Sequence, residues 1–151
     1  MPIAARALRE GARVRFTATG NSMRPFLHDG DIVELVPLDR SGPDVGQIVL
    51  VSRDESSYVL HRVVRILGDR IFLAGDAHGY WKEPFSRESL LGRVVALQRG
   101  QRVIRVDETK WRLLGLVWIK AAPAGQFLLE LADRLRSAMS SIKRRSMGVQ
   151  R

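Results

Sequence analysis

Three short segments of the chain carry residue types that can work together in nucleophilic catalysis. The first is Gly-Asn-Ser-Met-Arg-Pro at residues 20–25, with Ser22 at its centre. Gly20 can adopt backbone angles that are closed to other residues. Pro25 fixes its own φ and biases Arg24 toward extended geometry. We expect such a turn to hold a serine hydroxyl in place, as a nucleophile requires, although a Gly-x-Ser beside proline is more often an ordinary turn.

A base for that serine is present in the second segment, where His61 lies within a run rich in β-branched residues at 58–66. In a strand, Val59 and Val63 fall on the same face as this histidine. Apolar neighbours disfavour a charged imidazolium, which suits a general base that must start neutral. The third segment, Gly75-Asp76, follows another apolar run. It forms a turn in most proteins, and here it also supplies an acid that can orient an imidazole.

The order and spacing of these segments resemble the signal peptidase I superfamily of serine peptidases. The matching boxes are Ser-Met-x-Pro at 22–25, Gly-Asp-Ile-Val at 30–33, Gly-Gln-Ile-Val at 46–49, His-Arg-Val at 61–63, Gly-Asp at 75–76 and Leu-Gly-Arg-Val at 91–94. The resemblance covers residues 13–97, and the combination is much more specific than any single box. A histidine in the His-Arg-Val context is similar to the archaeal and endoplasmic-reticulum branch, whereas the bacterial enzymes and SOS-response repressors use lysine.

The resemblance implies a serine endopeptidase that cleaves a peptide or precursor protein after a small side chain. Ser22 would be the nucleophile, His61 the general base and Asp76 the orienting acid. The histidine branch carries its orienting aspartate several residues beyond the Gly-Asp box, and this chain has no aspartate there. Three alternatives follow: Asp76 takes the role, Glu83 takes it, or the pair Ser22 and His61 acts without a third member.

Three further residues are predicted to form the oxyanion and substrate-binding region, namely Gly20, Met23 and Pro25. We expect the substrate to bind as an added strand along an exposed sheet edge, which gives affinity without reading sequence.

The segments that must position these residues read as short strands. Seven runs at 13–18, 32–36, 47–51, 58–66, 70–74, 92–97 and 102–106 are rich in β-branched or alternating apolar residues, with turn-forming stretches between them. They predict a mainly β domain over residues 1–110: a small, partly open antiparallel barrel or folded sheet. Residues 111–151 are predicted to be a helical, basic appendage, with one helix at 111–120 and an amphipathic helix around Phe127, Leu131, Leu135 and Met139.

Composition narrows the class of protein. The chain has 151 residues and no cysteine, so disulfide scaffolds, thiolate zinc sites and cysteine nucleophiles are excluded. Its three histidines are not in a metal-ligand spacing, and neither a metal nor another cofactor is expected. Residues 1–12 lack the apolar core of a signal peptide. The apolar stretch at 111–131 is too interrupted for a membrane span, and a location in the cytoplasm or on the periphery of a membrane is expected.

The charge is concentrated near the end of the sequence. The net charge is +9, and from Arg134 onward there are six basic residues and no acidic one. An anionic membrane surface is therefore a possible partner through residues 111–151, weighed about evenly against packing of the helices on the sheet. A nucleic-acid partner is disfavoured because the β segments lack interleaved aromatic residues. Two other functions stay open: a self-cleaving regulator of the SOS-repressor type, and a non-catalytic peptide- or membrane-binding module.

Overall fold

The computed structural model describes residues 2–54, 57–78 and 83–121. It contains a helix α1 (Pro2–Arg9), a second helix α2 at residues 109–121, and eight strands. The strands are β1 (Val14–Thr17), β2 (Ile32–Pro37), β3 (Ile48–Ser52), β4 (Tyr58–Leu67), β5 (Arg70–Ala74), β6 (Glu83–Ser86), β7 (Leu90–Arg99) and β8 (Arg102–Arg105). The predicted amphipathic helix around residues 127–139 lies outside the described residues.

All strand pairs are antiparallel, and the strands form one sheet in the order β1-β2-β7-β3-β4-β5-β6, with β8 paired to β7. The prediction of a mainly antiparallel β domain is confirmed. The pairings among the described strands do not close the sheet, so they do not form a barrel. Seven of the eight described strands coincide with the predicted runs, and the eighth, β6, was missed.

The core lies on both faces of this sheet. Strand β3 is buried from Ile48 to Val51, and alternate residues of a strand point to opposite faces. Ile48 and Leu50 accordingly belong to one hydrophobic cluster, whereas Val49 and Val51 belong to another. The continuous apolar run of β3 follows from this position, because a strand covered on both faces has no polar side.

Two strand edges stay open near the end of β1. Strand β1 pairs only with β2 among the described strands. Strand β5 ends at Ala74, which lies opposite Arg62, so residues 58–61 of β4 pair with β3 on one side and with no described strand on the other. Backbone groups on such edges can pair with an added extended chain.

Helix α2 packs on the sheet domain with one side. Gly115 and Ile119 are buried, and the Trp111 and Trp118 rings each meet Phe26 edge to face, with ring centroids 6.4 Å apart. The predicted helix at 111–120 is therefore present and anchored to the β domain. No helix within the described residues is both long and apolar enough to cross a bilayer.

Candidate active site

Ser22 lies on the turn that joins β1 to β2, and backbone hydrogen bonds close this turn at its base. The Ala18 N–H donates to the Asp31 carbonyl over 2.7 Å, and the Gly30 N–H donates to the Ala18 carbonyl over 2.9 Å. Gly20 has a φ of +91°, a region that favours glycine. Ser22 itself is exposed, so an incoming chain has access to its hydroxyl.

An ion pair fixes the same turn to β7. The Arg99 guanidinium donates to both carboxylate oxygens of Asp31, over 2.9 and 2.7 Å, and also to the Phe26 carbonyl over 3.1 Å. The His28 N–H adds a further bond to Asp31 over 2.8 Å. The hydrogen bonds from Arg99 hold the pKa of the buried Asp31 carboxyl below its ordinary value, against the opposing effect of burial.

Gly75 lies close to both the backbone of Ser22 and the ring of His61, which are 39 residues apart in the sequence. A Cβ atom built on Gly75 would lie 2.6 Å from the Ser22 carbonyl oxygen and 3.4 Å from His61 Nε2. The Ala77 N–H also donates to the Ser22 carbonyl over 2.9 Å. The turn after β5 is thus bonded to the backbone of Ser22 and packed against the imidazole, and only glycine fits at this contact.

The carboxylates considered as the third catalytic member both pair with arginines. Asp76 is fully buried, and its two oxygens accept hydrogen bonds from Arg62 over 2.8 and 2.7 Å. Glu83 pairs with Arg53 at the sheet surface. The prediction that the Asp76 carboxylate orients His61 directly is not matched by these contacts. Instead, Asp76 enters the site as the counter-ion of Arg62, the neighbour of His61 on β4.

Arg62 is the residue that sequence reasoning missed. Its side chain is buried, and it donates to the Gly46 carbonyl over 2.8 Å. Its guanidinium also lies over the Phe26 ring, 4.9 Å from the centroid. A signal was available in the alternation of β4: if His61 faces one side, Arg62 must face the other, and a buried arginine requires a carboxylate. Burial raises the pKa of Asp76 above its ordinary value, and the hydrogen bonds and charge of Arg62 oppose that shift.

Helix α2 covers this buried ion pair. The Trp118 indole N–H donates to the Asp76 carbonyl over 2.9 Å. A Cβ atom on Gly115 would lie 2.2 Å from Arg62 Cζ, so the helix can approach the guanidinium this closely only with glycine at that position. Helix α2 therefore supports the turn after β5, which contacts Ser22, through its hydrogen bond to Asp76.

A cleft of about 140 Å³ opens beside Ser22, between the two free strand edges. It is lined by residues 16–20 from β1 and the start of the turn, by residues 58–60 of β4, and by Ser22 and Met23. Met23, predicted to belong to the substrate region, is buried in the core and lines the cleft. Gly20 lines the cleft too, but its N–H donates to Asp29 Oδ1 over 2.8 Å and is not free for an oxyanion.

Pro25 departs from its predicted place. It lines a second cavity, of about 300 Å³, between the turn and α2, and it does not line the cleft beside Ser22. Its neighbours there include Phe26, Trp111 and Trp118. Pro25 therefore helps to form the supporting side of the turn.

No family model and no curated protein matches this chain. The family resemblance therefore depends on the motifs alone. In chemical terms, the site combines an exposed hydroxyl, an imidazole beside the same glycine, and a cleft between two strand edges that pair with no other described strand, which are parts that acyl transfer from an extended peptide can use.

Proposed function

We propose that the protein is a serine endopeptidase of signal-peptidase type, in which Ser22 is the nucleophile and His61 the general base. The contact of Gly75 with both the Ser22 carbonyl and His61 Nε2 carries this proposal. The exposure of Ser22 at an open cleft supports it further. On this interpretation the folded sheet, with its two free edges facing one cleft, corresponds to the partly open barrel of that superfamily.

The reaction begins when Ser22 Oγ attacks the carbonyl carbon of the scissile bond and gives its proton to His61. The tetrahedral intermediate collapses, the C–N bond breaks, and His61 returns the proton to the leaving amine. Water then attacks the Ser22 ester and gives a proton to His61. The bond between Ser22 Oγ and the acyl carbon breaks, His61 returns the proton to Ser22 Oγ, and the new carboxylate leaves. Among the described residues no hydrogen bond occupies the N–H of Ser22, and we assign this group to the oxyanion; loss of such a donor costs about 3–4 kcal/mol of transition-state stabilisation.

The substrate binds as an extended strand between the free edges of β1 and β4. Backbone hydrogen bonds to these edges supply affinity that is independent of sequence. The cleft holds only about 140 Å³, and its floor is closed by the buried side chains of Met23 and Leu27. These dimensions favour a small side chain next to the scissile bond.

Asp76 and Arg62 act as positioning residues in this mechanism. Arg62 faces the opposite side of β4 from His61, and its pair with Asp76 fixes both β4 and the turn that carries Gly75. The proposal therefore assigns the reacting groups to Ser22 and His61, while Asp76 and Glu83 pair with arginines.

The test is cleavage of a library of extended peptides that contain small residues, with products identified by mass spectrometry. We expect the wild-type chain and Ser86→Ala, which removes another exposed serine in β6, to cleave the same peptides. Ser22→Ala and His61→Ala should each lose at least about 1,000-fold in rate. Cleavage by Ser22→Ala at the wild-type rate would refute the proposal, and binding of peptides without turnover by the wild type would indicate a peptide-binding module.

A further inference from the structure

Helix α2 exposes large apolar side chains beside and opposite the residues that pack on the sheet. These side chains are Leu113, Leu114, Val117 and Trp118, with 57, 51, 63 and 43% of their surface exposed. Residues three or four apart are neighbours on a helix surface, so Leu113 adjoins Val117 and Leu114 adjoins Trp118. Four large apolar side chains therefore form one continuous patch, which we call the apolar face of α2.

The positive charge of the protein is concentrated in the same part of the chain. Residues 109–151 contain nine of the 25 lysines and arginines but only two of the 16 acidic residues, Glu130 and Asp133. Residues 1–108 are nearly balanced, with sixteen basic and fourteen acidic residues. Within α2 itself, the exposed Lys110 and Lys120 stand at the two ends of the apolar face. An apolar strip framed by basic residues complements a surface that is apolar inside and anionic outside.

We propose that the apolar face of α2 binds an anionic lipid surface. Leu113, Leu114 and Val117 would enter the boundary between headgroups and acyl chains, and the exposed Lys110 and Lys120 would lie against the anionic headgroups. Nucleic acid would also attract the basic residues, but it provides no apolar environment for aliphatic side chains that are more than half exposed. An anionic lipid surface is the partner that matches both the positive charge and the exposed apolar side chains.

The contacts of α2 with the sheet domain lower the entropic cost of lipid binding. The helix is already ordered by its contacts with Arg62 and Asp76, so no folding of a disordered segment is needed when it meets the membrane. Leu113 and Val117 take no part in these contacts, whereas Trp118 lies at the border and makes one of them, so insertion of Leu113 and Val117 leaves the buried ion pair undisturbed. The inference stands apart from the proposed peptidase activity, since it uses no catalytic residue.

The experiment is flotation of the full chain with vesicles of phosphatidylcholine, with and without about one third phosphatidylglycerol. We expect binding to the anionic vesicles only, and weaker binding as salt rises. Leu113→Glu combined with Val117→Glu should reduce partitioning at least about tenfold. The matched control is Ile3→Glu combined with Val103→Glu, which places the same charges on two other exposed apolar residues, 85 and 65% exposed, and should lose much less.

Several results would overturn this inference. Absence of binding to the anionic vesicles would do so, as would equal losses in the two double variants. Binding of an oligonucleotide that the glutamates at 113 and 117 abolish would point to a nucleic-acid surface, and a wild-type dimer that becomes monomeric in that variant, by sedimentation equilibrium, would assign the face to a second copy. Ser22→Ala should float like the wild type, so failure here and failure of the peptidase proposal are separate outcomes.

Discussion

The turn that carries Ser22 separates two spaces of different character. On one side, the cleft lies between an edge of β1 and an edge of β4 that pair with no other described strand. On the other side, the cavity beneath α2 is lined by aromatic and aliphatic side chains around Phe26, Trp111 and Trp118, and the polar groups of Arg62 and Asp76 satisfy each other there. The contacts that hold the turn in place therefore lie on the side of α2. The side of the cleft needs no packed side chains to hold the turn, and it can accept a substrate.

The largest effect on stability is expected at the buried ion pair of Arg62 and Asp76, beneath α2. Asp76→Asn leaves the buried Arg62 guanidinium without a counter-charge, which costs about 4 kcal/mol of unfolding free energy. Glu10→Gln removes an exposed partner of Arg6 instead, with 61 and 82% of the two side chains exposed, and should leave the denaturation midpoint almost unchanged. Denaturant titration of the two variants makes the comparison. Equal midpoints would mean that the buried pair does not support the turn.

Gly75→Ala tests the contact between the turn after β5 and the backbone of Ser22. The added methyl group would meet the Ser22 carbonyl oxygen at 2.6 Å, so the backbone of one of the turns must move. Since displacement of a reacting group by about 1 Å costs about 100-fold, we expect a loss of at least that size in peptide cleavage. Gly100→Ala is the control: its φ of +58° strains alanine in the turn between β7 and β8, but nothing lies within 4 Å of the added methyl group, so cleavage by the folded protein should be unchanged. Unchanged cleavage by Gly75→Ala would contradict the account.

The pair of Asp31 and Arg99 makes stability depend on pH. Because Arg99 lowers the folded-state pKa of Asp31, the pair stabilises the fold above the ordinary value of 3.8 and loses this contribution as pH falls through the lowered pKa. The Arg99 side chain is 38% exposed, so solvent screening limits the contribution to about 1 kcal/mol.

Arg99→Gln should therefore be less stable than the wild type at neutral pH, and the difference should shrink in acid. Unfolding free energies measured by denaturant at a series of pH values would show this convergence. A difference that grows as pH falls would have the wrong sign for a lowered carboxyl pKa.

The smallest effect is expected where α2 supports the turn. Trp118→Phe keeps an aromatic ring against Phe26 but removes the N–H that binds the Asp76 carbonyl, a loss of about 1 kcal/mol. Trp111→Phe alters the other ring that packs on Phe26 and does not touch that hydrogen bond. Thermal unfolding should therefore place Trp118→Phe below Trp111→Phe. The reverse order would show that ring packing outweighs the hydrogen bond.

The sequence predicted most of the sheet because local patterns determine it. Strands such as β3 and β5 are short apolar runs between turn residues, and their positions follow from hydrophobic periodicity. Strand β6 was missed because its four residues, Glu-Pro-Phe-Ser, contain a proline and no β-branched residue. A proline is tolerated there since β6 lies at the edge of the sheet, paired only with β5 among the described strands.

Helix α1 was also missed, although it begins with Pro2 and contains three alanines, both typical of a helix start and interior. The site was only partly predictable for a different reason. Ser22 and His61 were singled out by their residue types and motifs, but the pairing of Arg62 with Asp76 depends on the register between β4 and β5, in which Arg62 lies opposite Ala74. No local pattern specifies such a register.

The central claim, that Ser22 and His61 act as one unit across Gly75, is tested most directly by a double-mutant cycle. Cleavage of one peptide is measured for the wild type, Ser22→Ala, His61→Ala and the double variant. The account predicts that each single substitution abolishes nearly as much rate as both together, because residues that act as a unit are strongly non-additive. Losses that multiply in the double variant would contradict it.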